Sequence, residues 1–265
     1  MDSKTVERRV PVETITSRKN SIIRRLRALG RERSLRQEEG FFVGDGEKLL
    51  REAIASGAEV ETVLWAEKAA FALPENVRQL TAPAELVEYV SALSKSTGPV
   101  FTVRIPERSV PARPDRVLVL ETVQDPGNVG TVLRTANAFG ADAVLLTGAC
   151  ADLYSPKTVR ATMGAIFRQP VLECTHGEMR ALLEQWELPL YGAALTDTAR
   201  DLRKVSLRRA AVAVGSEGRG LSAELLDLCG GQIIIPMRPD SESLNAAVAA
   251  SVILWEMVRA GDADG

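Results

Sequence analysis

The chain has 265 residues, a formal net charge of −2 and a hydrophobic content of 45%, which suffices for one large domain or two modest ones without disulfide or metal support. Its single histidine, His176, excludes sites built on paired histidines and nearly excludes a triad of serine, histidine and acid, so we expect it to be structural or solvated. Cys150, Cys174 and Cys229 form no Cys-x-x-Cys pair, so we predict small buried apolar side chains and no bound metal.

Two stretches bear on where the protein works. The opening, MDSKTVERRV, is charged and lacks the apolar segment of a secretory signal, so we expect a cytoplasmic protein. The most apolar run, Leu244 to Val258, is interrupted by Asn245, Ser251 and Glu256 and is shorter than the roughly 20 apolar residues of a membrane helix. We therefore predict a core helix there and no membrane partner.

The segment from Arg18 to Arg36 is strongly basic, with eight basic residues and one acid. Its apolar residues recur at helical spacing, which predicts an amphipathic helix with one apolar face. The cationic remainder is either simply solvated or a surface that contacts nucleic-acid phosphates. The candidate contacts are Arg18, Lys19, Arg24, Arg25 and Arg27.

The following segments alternate between strand and helix patterns. A strand, a glycine turn and a helix ending at Gly57 precede strands at VETVLWA and NVRQLTA, a helix at PAELVEYVSAL and a strand at PVFTVRI. We predict a small α/β domain at residues 1–107. Pro106 to Arg116 carries three prolines and five charges, which is typical of a semi-rigid linker, and we place that linker at residues 108–116.

A larger domain is predicted at residues 117–265. Apolar strands at RVLVLE, DAVLLT, QPVLE, PLYGAAL, AAVAVG and GQIIIP alternate with helices. The helices are predicted at Asn128–Phe139, Pro156–Phe167, Met179–Trp186, SAELLDL and the C-terminal run. Continuous apolar strands that alternate with helices predict a parallel sheet covered on both faces.

Three strand-to-helix junctions of this domain are rich in glycine and polar residues, and ligands of open α/β sheets gather at such junctions. In the first, ETVQDPGNVGTVLRTANAFG, Asn128 is well placed to cap the helix that follows. Gly130, Arg134 and Asn137 fall off the apolar face of that helix, so they are predicted to be free to meet a ligand or simply solvated.

The second junction, AVAVGSEGRGLSAELL, has three glycines between positions 215 and 220, a pattern that favours close approach of the backbone to a ligand. It lacks the Lys-Ser/Thr of a P-loop, and Glu217 would repel phosphate but tolerate a positively charged ligand. In the third, IPMRPDSESLNAAVAASVILWE, Ser243 is predicted to cap the last helix, which leaves Asn245 unexplained.

At these junctions the chain resembles a known family. The stretches DPGNVGTVLRTANAFGADAVLL, VGSEGRGLS and IPMRPDSESLNAAVAASVILWE resemble the three ordered motifs of the SpoU, or TrmH-type, RNA ribose methyltransferases of the SPOUT superfamily. The N-terminal third resembles the RNA-binding domain, similar to certain ribosomal proteins, that often precedes them. The resemblance implies a deep C-terminal trefoil knot, an exception to unknotted topology, and an obligate homodimer.

The resemblance also implies a reaction and its residues. S-adenosylmethionine would lie bent in the knot and donate its methyl group to a ribose 2′-hydroxyl, a reaction that needs no metal. Arg134 would face the cofactor of the partner subunit. It would act there either as a general base or as an electrostatic and positioning group. The cofactor positions that match the family are Gly215, Glu217, Gly218, Ile235, Met237, Ser243 and Leu244. The catalytic positions that match are Asn128, Arg134, Glu217, Ser243 and Asn245.

Two other functions are compatible with these patterns. A catalytically inactive RNA-binding or ribosome-assembly protein would have the same fold, but the chain retains all the catalytic positions. A nucleotide-dependent enzyme of ordinary Rossmann type would bind NAD instead of S-adenosylmethionine. Within the methyltransferase interpretation, the two-domain organisation favours ribosomal RNA over transfer RNA as the substrate.

Overall fold

The computed structural model of the chain describes residues 13–93, 96, 98–107, 109–238 and 243–262. The chain divides into two compact units, Met1–Ile105 and Pro106–Gly265. The division falls at the first residue of the proline-rich segment. Within the described residues, no helix has both the length and the apolar character that crossing a membrane requires.

The first unit contains a five-stranded sheet in the order β1-β4-β3-β5-β2. Its strands and helices are β1 Glu13–Thr14, α1 Ser21–Leu29, α2 Arg33–Glu39, β2 Phe41–Asp45, α3 Glu47–Ala55, β3 Val60–Ala66, β4 Arg78–Ala82, α4 Ala84–Val90 and β5 Val100–Arg104. Strand β5 runs antiparallel to both of its neighbours, β2 and β3, whereas β4 is parallel to β1 and β3. The mixed α/β organisation predicted for this region is therefore present.

The basic segment folds as two helices, α1 and α2, where the sequence pattern predicted a single one. Helix α1 begins after Asn20, whose side chain accepts the N–H of Ile22 at 2.9 Å, and its apolar face is buried as predicted. It ends at Leu29 with Gly30 as its C-cap, and the N–H of Arg31 then closes a tighter three-residue turn onto the carbonyl of Ala28 at 2.9 Å. The sequence did not predict this turn, because the helical spacing of apolar residues continues across it.

The second unit is built on a seven-stranded sheet in the order β10-β12-β9-β11-β6-β7-β8, and all of its pairings are parallel. Its strands and helices are β6 Arg116–Glu121, α5 Pro126–Ala138, β7 Ala143–Thr147, α6 Pro156–Ala161, β8 Val171–Glu173, α7 His176–Gln185, β9 Leu190–Ala193, β10 Arg200–Asp201, β11 Ala210–Val214, α8 Ala223–Leu228, β12 Gly231–Ile234 and α9 Ala246–Asp262. The predicted parallel α/β sheet is confirmed. The trefoil knot stays a prediction.

Two elements of this unit differ from their sequence predictions. The helix predicted at Pro156–Phe167 ends at Ala161, because Met163 and Gly164 adopt positive φ angles of 51° and 97°. A short 3₁₀ helix, Ala165–Phe167, follows that turn. The two-residue edge strand β10 was not predicted, since its charged Arg-Asp sequence has no strand pattern.

Helices α5 and α6 pack at very close range through Gly130. A Cβ atom at this position would lie 2.4 Å from Cβ of Ala161 and 2.8 Å from the carbonyl oxygen of Thr158. Gly130 is therefore buried between helices and not free to meet a ligand, which corrects the sequence prediction. The same helix α5 also packs against α9, where the hydroxyl groups of Thr135 and Ser251 lie 3.4 Å apart.

The three cysteines are free and half-buried, where the sequence predicted small buried apolar side chains. Burial, assisted by Glu178 beside Cys174 and by Glu121 beside Cys229, raises the pKa of each of these two thiols to about 11. Burial also raises the pKa of Cys150. Such thiols remain protonated and unreactive near neutral pH.

Candidate active site

A cavity of about 500 Å³ opens where strands β9, β11 and β12 end in the second unit. Four chain segments form its wall together with Leu226 of α8: residues 193–196, 214–221, 233–235 with Met237, and the start of the last helix with the two residues before Asn245. The first three segments follow carboxyl ends of parallel strands, which is where ligands of open α/β sheets bind. The volume is typical of a small-molecule or cofactor site.

The glycine loop, residues 215–221, folds back on itself over this cavity. The N–H of Gly220 donates to the carbonyl of Ser216 at 2.9 Å, and Gly220 has a φ of 65°, where glycine is favoured. A Cβ atom on Gly215 would come within 2.1 Å of the backbone of Gly220. The sequence predicted that the glycines let the backbone approach a ligand closely. At Gly215 the backbone instead approaches another part of the same loop, at Gly220.

All seven residues that the resemblance assigned to the cofactor lie on the wall of this single cavity. They are Gly215, Glu217, Gly218, Ile235, Met237, Ser243 and Leu244. Sequence reasoning missed the segment Ala193, Ala194, Leu195 and Thr196, which follows β9. The run PLYGAALTDT contains the end of an apolar strand, as the other junctions do. It has no cluster of glycines, however, so nothing in the sequence marked it as part of a ligand site.

Three polar side chains from the three motifs form a hydrogen-bonded network at this cavity. The amide of Asn245 donates to the side-chain oxygen of Asn128 at 3.1 Å, and the amide of Asn128 donates to the carboxylate of Glu217. Glu217 also lies on the cavity wall. The network therefore joins helix α5, the glycine loop and helix α9 at one point.

The directions of these bonds follow from helix capping. Asn245 is the N-cap of α9, because its Oδ1 accepts the N–H groups of Ala247 at 2.9 Å and Val248 at 3.3 Å. Its amide nitrogen must then point away from the helix and toward Asn128. Asn128 accepts that bond through its oxygen and is left with its own amide to offer to Glu217.

Both capping predictions from the sequence were wrong. Helix α5 is capped by Asp125, whose carboxylate accepts the N–H of Asn128 at 2.8 Å, so Asn128 lies inside the first turn with its side chain available. Helix α9 is capped by Asn245, and Ser243 is exposed on the cavity wall. Asn245, which the sequence left unexplained, thus has two tasks: its side-chain oxygen caps helix α9, and its amide donates to Asn128.

Asn128 and Asn245 reach the cavity through Glu217, whereas Arg134 belongs neither to the cavity wall nor to the network within the described residues. It lies on α5 one turn beyond Gly130 and is exposed. Within the described residues its guanidinium has no hydrogen-bond or ion-pair partner and takes no part in the cavity wall. Within one chain, therefore, the structure brings together Asn128, Glu217, Ser243 and Asn245 but not Arg134.

His176 is the first residue of α7 and lies in a polar cluster behind the glycine loop. Its Nε2 is 2.9 Å from an oxygen of Glu121, which is 3% exposed, and its Nδ1 is 3.2 Å from an oxygen of Glu224. Glu121 in turn accepts hydrogen bonds from Ser222. Sequence reasoning did not find this cluster, because an acid at the end of an apolar strand resembles a solvated residue.

The basic residues of the first unit have different surroundings. Arg25 is held by Glu39 and Glu61, each at 2.6 Å; burial opposes its charge, but these carboxylates outweigh it and raise the pKa of Arg25. Arg18 and Arg27 lie over the ring of Tyr89, 4.4 and 3.7 Å from its centroid. Lys19 and Arg24 are exposed. Arg25 is thus an internal ion-pair residue and not the free cation that was predicted.

Comparison with known proteins matches both units to described domains. Residues 115–255 match the model of the SpoU rRNA Methylase family, and residues 20–97 match the model of the MRM3-like substrate binding domain. An uncharacterised tRNA/rRNA methyltransferase of Synechocystis is 33% identical over 94% of this chain and 94% of its own length. The 23S rRNA (guanosine(2553)-2′-O)-methyltransferase RlmP of Bacillus subtilis is 29% identical over 93% of this chain and 99% of its own.

A solved structure supports the same relationship. The SpoU methyltransferase AviRb of Streptomyces viridochromogenes, in complex with the cofactor AdoMet, superposes with a TM-score of 0.82 at 26% identity and covers 91% of this chain and 98% of its own. The family model covers more than half of this chain, and it includes the first two motifs and all of the third except Glu256. The chain belongs to the SpoU rRNA methylase family.

Proposed function

We propose that this protein transfers a methyl group from S-adenosylmethionine (AdoMet) to a ribose 2′-hydroxyl of ribosomal RNA. The observation that carries the proposal is the Asn245–Asn128–Glu217 network at the cavity, because it joins the three motifs that the family shares. Relatives such as RlmP are named for this reaction on 23S rRNA. Because ribosomal RNA is their named substrate, we also propose the cytoplasm as the place of action.

The cavity has the chemistry that AdoMet requires. Its wall is largely apolar, with Ile235, Met237 and Leu244 available to the adenine, and the backbone of the glycine loop offers polar groups beside them. Glu217 is the carboxylate on the wall that would attract a positive charge. When bound, AdoMet supplies a methyl group carried on a sulfonium. Gly215, Gly218 and Ser243 complete the proposed binding residues.

In this proposal the chain's own residues position the ribose and stabilise the reacting oxygen. Asn128, Asn245 and Ser243 orient the ribose by hydrogen bonds, and the bond from Asn128 holds Glu217 toward the cavity. Arg134 stabilises the developing alkoxide or the neighbouring phosphate, because a protonated guanidinium has five donors and no acceptor. It serves as a base only if it first loses its proton.

We further propose that Arg134 acts in the site of a second copy of the chain. Helix α9 exposes Val248, Val252 and Trp255 at helical spacing, and Trp255 is 55% exposed although its ring contacts Phe139, the residue after α5. This apolar face adjoins the site, because the N–H of Val248 bonds to the catalytic candidate Asn245. A twofold dimer through α9 would bury the face and would bring the exposed Arg134 of one chain toward the other.

The first unit is the proposed RNA-binding part. Exposed Lys19 and Arg24 are available to phosphates, whereas Arg25 is excluded by its two carboxylate partners. The guanidinium groups of Arg18 and Arg27 are held over Tyr89, and Arg27 also donates one N–H to the backbone carbonyl of Tyr89 at 3.1 Å. Their other N–H groups are proposed to bind phosphate oxygens. These four basic residues form the proposed RNA surface.

A methyl-transfer assay tests the proposal directly. The purified protein is incubated with AdoMet labelled in its methyl group and with ribosomal or transfer RNA from cells that lack the gene, and the modified nucleotide is identified after nuclease digestion. We expect label in a 2′-O-methylated nucleotide of ribosomal RNA. Binding of RNA without transfer would favour the inactive assembly protein, and binding of NAD in place of AdoMet would favour an ordinary dinucleotide enzyme.

A further inference from the structure

A buried carboxylate in the second unit lies outside both the cavity wall and the amide network. Glu121 ends strand β6, and both of its oxygens are held by one residue, Ser222. Oε2 accepts the backbone N–H of Ser222 at 2.7 Å, and Oε1 accepts its hydroxyl at 2.6 Å. Ser222 is the N-cap of α8 and follows directly on the glycine loop. Glu121 therefore fixes the point at which that loop ends.

The same stretch of chain also holds the start and the middle of the glycine loop. Leu120, the residue before Glu121, pairs with Val214 immediately before the loop. Asn128, in the helix that follows β6, bonds to Glu217 in the centre of the loop. Strand β6 and helix α5 thus hold the loop at three points, and Glu121 is the point that carries a buried charge.

His176 connects this anchor to a third element. Its ring nitrogens Nε2 and Nδ1 lie 2.9 Å from an oxygen of Glu121 and 3.2 Å from an oxygen of Glu224. The contact of Nε2 with Glu121 is close but lacks hydrogen-bond geometry, which makes it a contact between charged or polar groups and not a directional bond. The single histidine thus packs the start of helix α7 against the buried carboxylate.

We infer that Glu121 is a positioning residue for cofactor binding, which holds the glycine loop closed over the cavity through Ser222. The inference rests on the proposed function, in which the cavity takes AdoMet. A loop with three glycines loses much conformational freedom when a ligand orders it, and an anchor that orders it beforehand reduces that loss. Without the anchor, bound AdoMet keeps its contacts with the cavity, but the free energy of binding becomes less favourable because the loop must be ordered at the same time.

Calorimetric titration of AdoMet into the full chain tests the inference. We expect Glu121→Gln to raise the Kd for AdoMet about tenfold, because one charge-assisted acceptor is replaced by an amide. Ser222→Ala should raise it about threefold to tenfold, whereas Ser222→Thr, which keeps a hydroxyl and still caps a helix, should stay near wild type. In assays the KM for AdoMet should rise in parallel, while the KM for RNA and kcat at saturating AdoMet stay unchanged.

Glu256→Gln is the matched control, because it makes the same change at a carboxylate that is 7% exposed and is paired with Arg259 on α9. It should lower the unfolding temperature without changing the Kd for AdoMet. The inference is overturned if Glu121→Gln binds AdoMet within twofold of wild type, or if Glu256→Gln weakens binding equally. If Glu121→Gln fails to fold, equal Kd values for Ser222→Ala and Ser222→Thr overturn it.

The wild-type titration separates this inference from the proposed function. A wild-type chain that does not bind AdoMet overturns both, because the cavity then has another ligand. Wild-type binding together with an unchanged Glu121→Gln variant overturns only the role of Glu121 and leaves the methyltransferase proposal standing.

Discussion

Asn128 donates its side-chain amide to the carboxylate of Glu217, a residue 89 positions further along the chain. The oxygen of the same amide accepts from Asn245, which is 117 positions away. One side chain thus connects a helix, a loop and a second helix that belong to three separate motifs. This relationship explains why three distant polar residues occur together, and it makes each of them testable.

The two tasks of Asn245 can be separated by one substitution. Asn245→Asp keeps the oxygen that caps α9, because aspartate is an equally good N-cap, but it removes the donor to Asn128. We expect an unfolding free energy within about 0.5 kcal/mol of wild type and a kcat reduced by roughly 100-fold. Initial rates and urea unfolding measure the two quantities. Asn245→Ala, by contrast, should lose both rate and about 1 kcal/mol of stability; a fully active Asn245→Asp variant would contradict the network's role.

Gly215 should be intolerant of any side chain. Its Cβ atom would lie 2.1 Å from backbone atoms of Gly220, so Gly215→Ala must force the glycine loop apart. We expect a loss of about 1–3 kcal/mol in the free energy of unfolding, measured by urea denaturation. Gly218→Ala is the matched control for stability, because nothing lies within 4 Å of the position its Cβ would take. Equal stability of the two variants would show that the loop relaxes freely.

If Arg134 of one chain acts in the site of its partner, two variants that are inactive alone should restore activity when they form a mixed dimer. Arg134→Ala and Asn128→Ala homodimers should each be nearly inactive. If the two chains are co-expressed with different tags, half of the dimers combine them, and each such dimer has one complete site. The mixture should therefore regain about a quarter of the wild-type rate. Activity that stays at the level of the separate variants would place Arg134 in its own chain's site.

The proposed dimer face can be disrupted without changing a residue of the cavity wall. Trp255→Glu places a charge on the exposed apolar face of α9 formed with Val248 and Val252. We expect the dimer to dissociate into monomers by sedimentation velocity, and methyl transfer to fall together with dissociation. A monomeric variant with wild-type activity would refute the shared site.

The basic residues of α1 should differ sharply in their effect on RNA binding. Arg24→Gln should weaken RNA binding and reduce the slope of log K against log salt concentration by about one, as the loss of one phosphate contact requires. Arg25→Gln should leave that slope unchanged and cost about 1 kcal/mol of stability, because it leaves Glu39 and Glu61 uncompensated. Filter binding over a salt series, with urea unfolding beside it, distinguishes the two.

The buried thiols give a prediction for pH. Folding raises the pKa of Cys174 from 9.0 to about 11, so the folded chain holds this proton more tightly than the unfolded chain. The contribution of Cys174 to the free energy of unfolding is therefore complete below pH 9 and is lost as the pH rises toward 11. We expect urea midpoints of the wild type to fall more steeply between pH 9 and 11 than those of Cys174→Ala, and alkylation at pH 8 to be slow in the wild type.

Much of the fold was predictable because buried strands are continuous apolar runs. The strand predicted at VETVLWA is found at Val60–Ala66, and the parallel sheet of the second unit follows from the same pattern. The end of α6 was not predictable in this way, since the turn at Met163 and Gly164 depends on positive φ angles that the sequence does not reveal.

The site was predictable in its residue types but not in its connections. Seven residues named through the resemblance line one cavity. The roles of Asp125 and Asn245 as helix caps were missed, because several polar residues near each helix start could serve and only the three-dimensional geometry selects one. Glu121 was missed because its partners Ser222 and His176 are far away in the chain.

Ala246 and Ala249 of the last helix form part of the cavity wall, although the sheet beneath is already complete at Ile234. During translation, a nascent chain can therefore contain every strand of this sheet and still have no finished pocket. Products of premature termination within or before that helix would be unable to sequester the methyl donor. Synthesis of helix α9 is thus the step that completes the wall of the cavity.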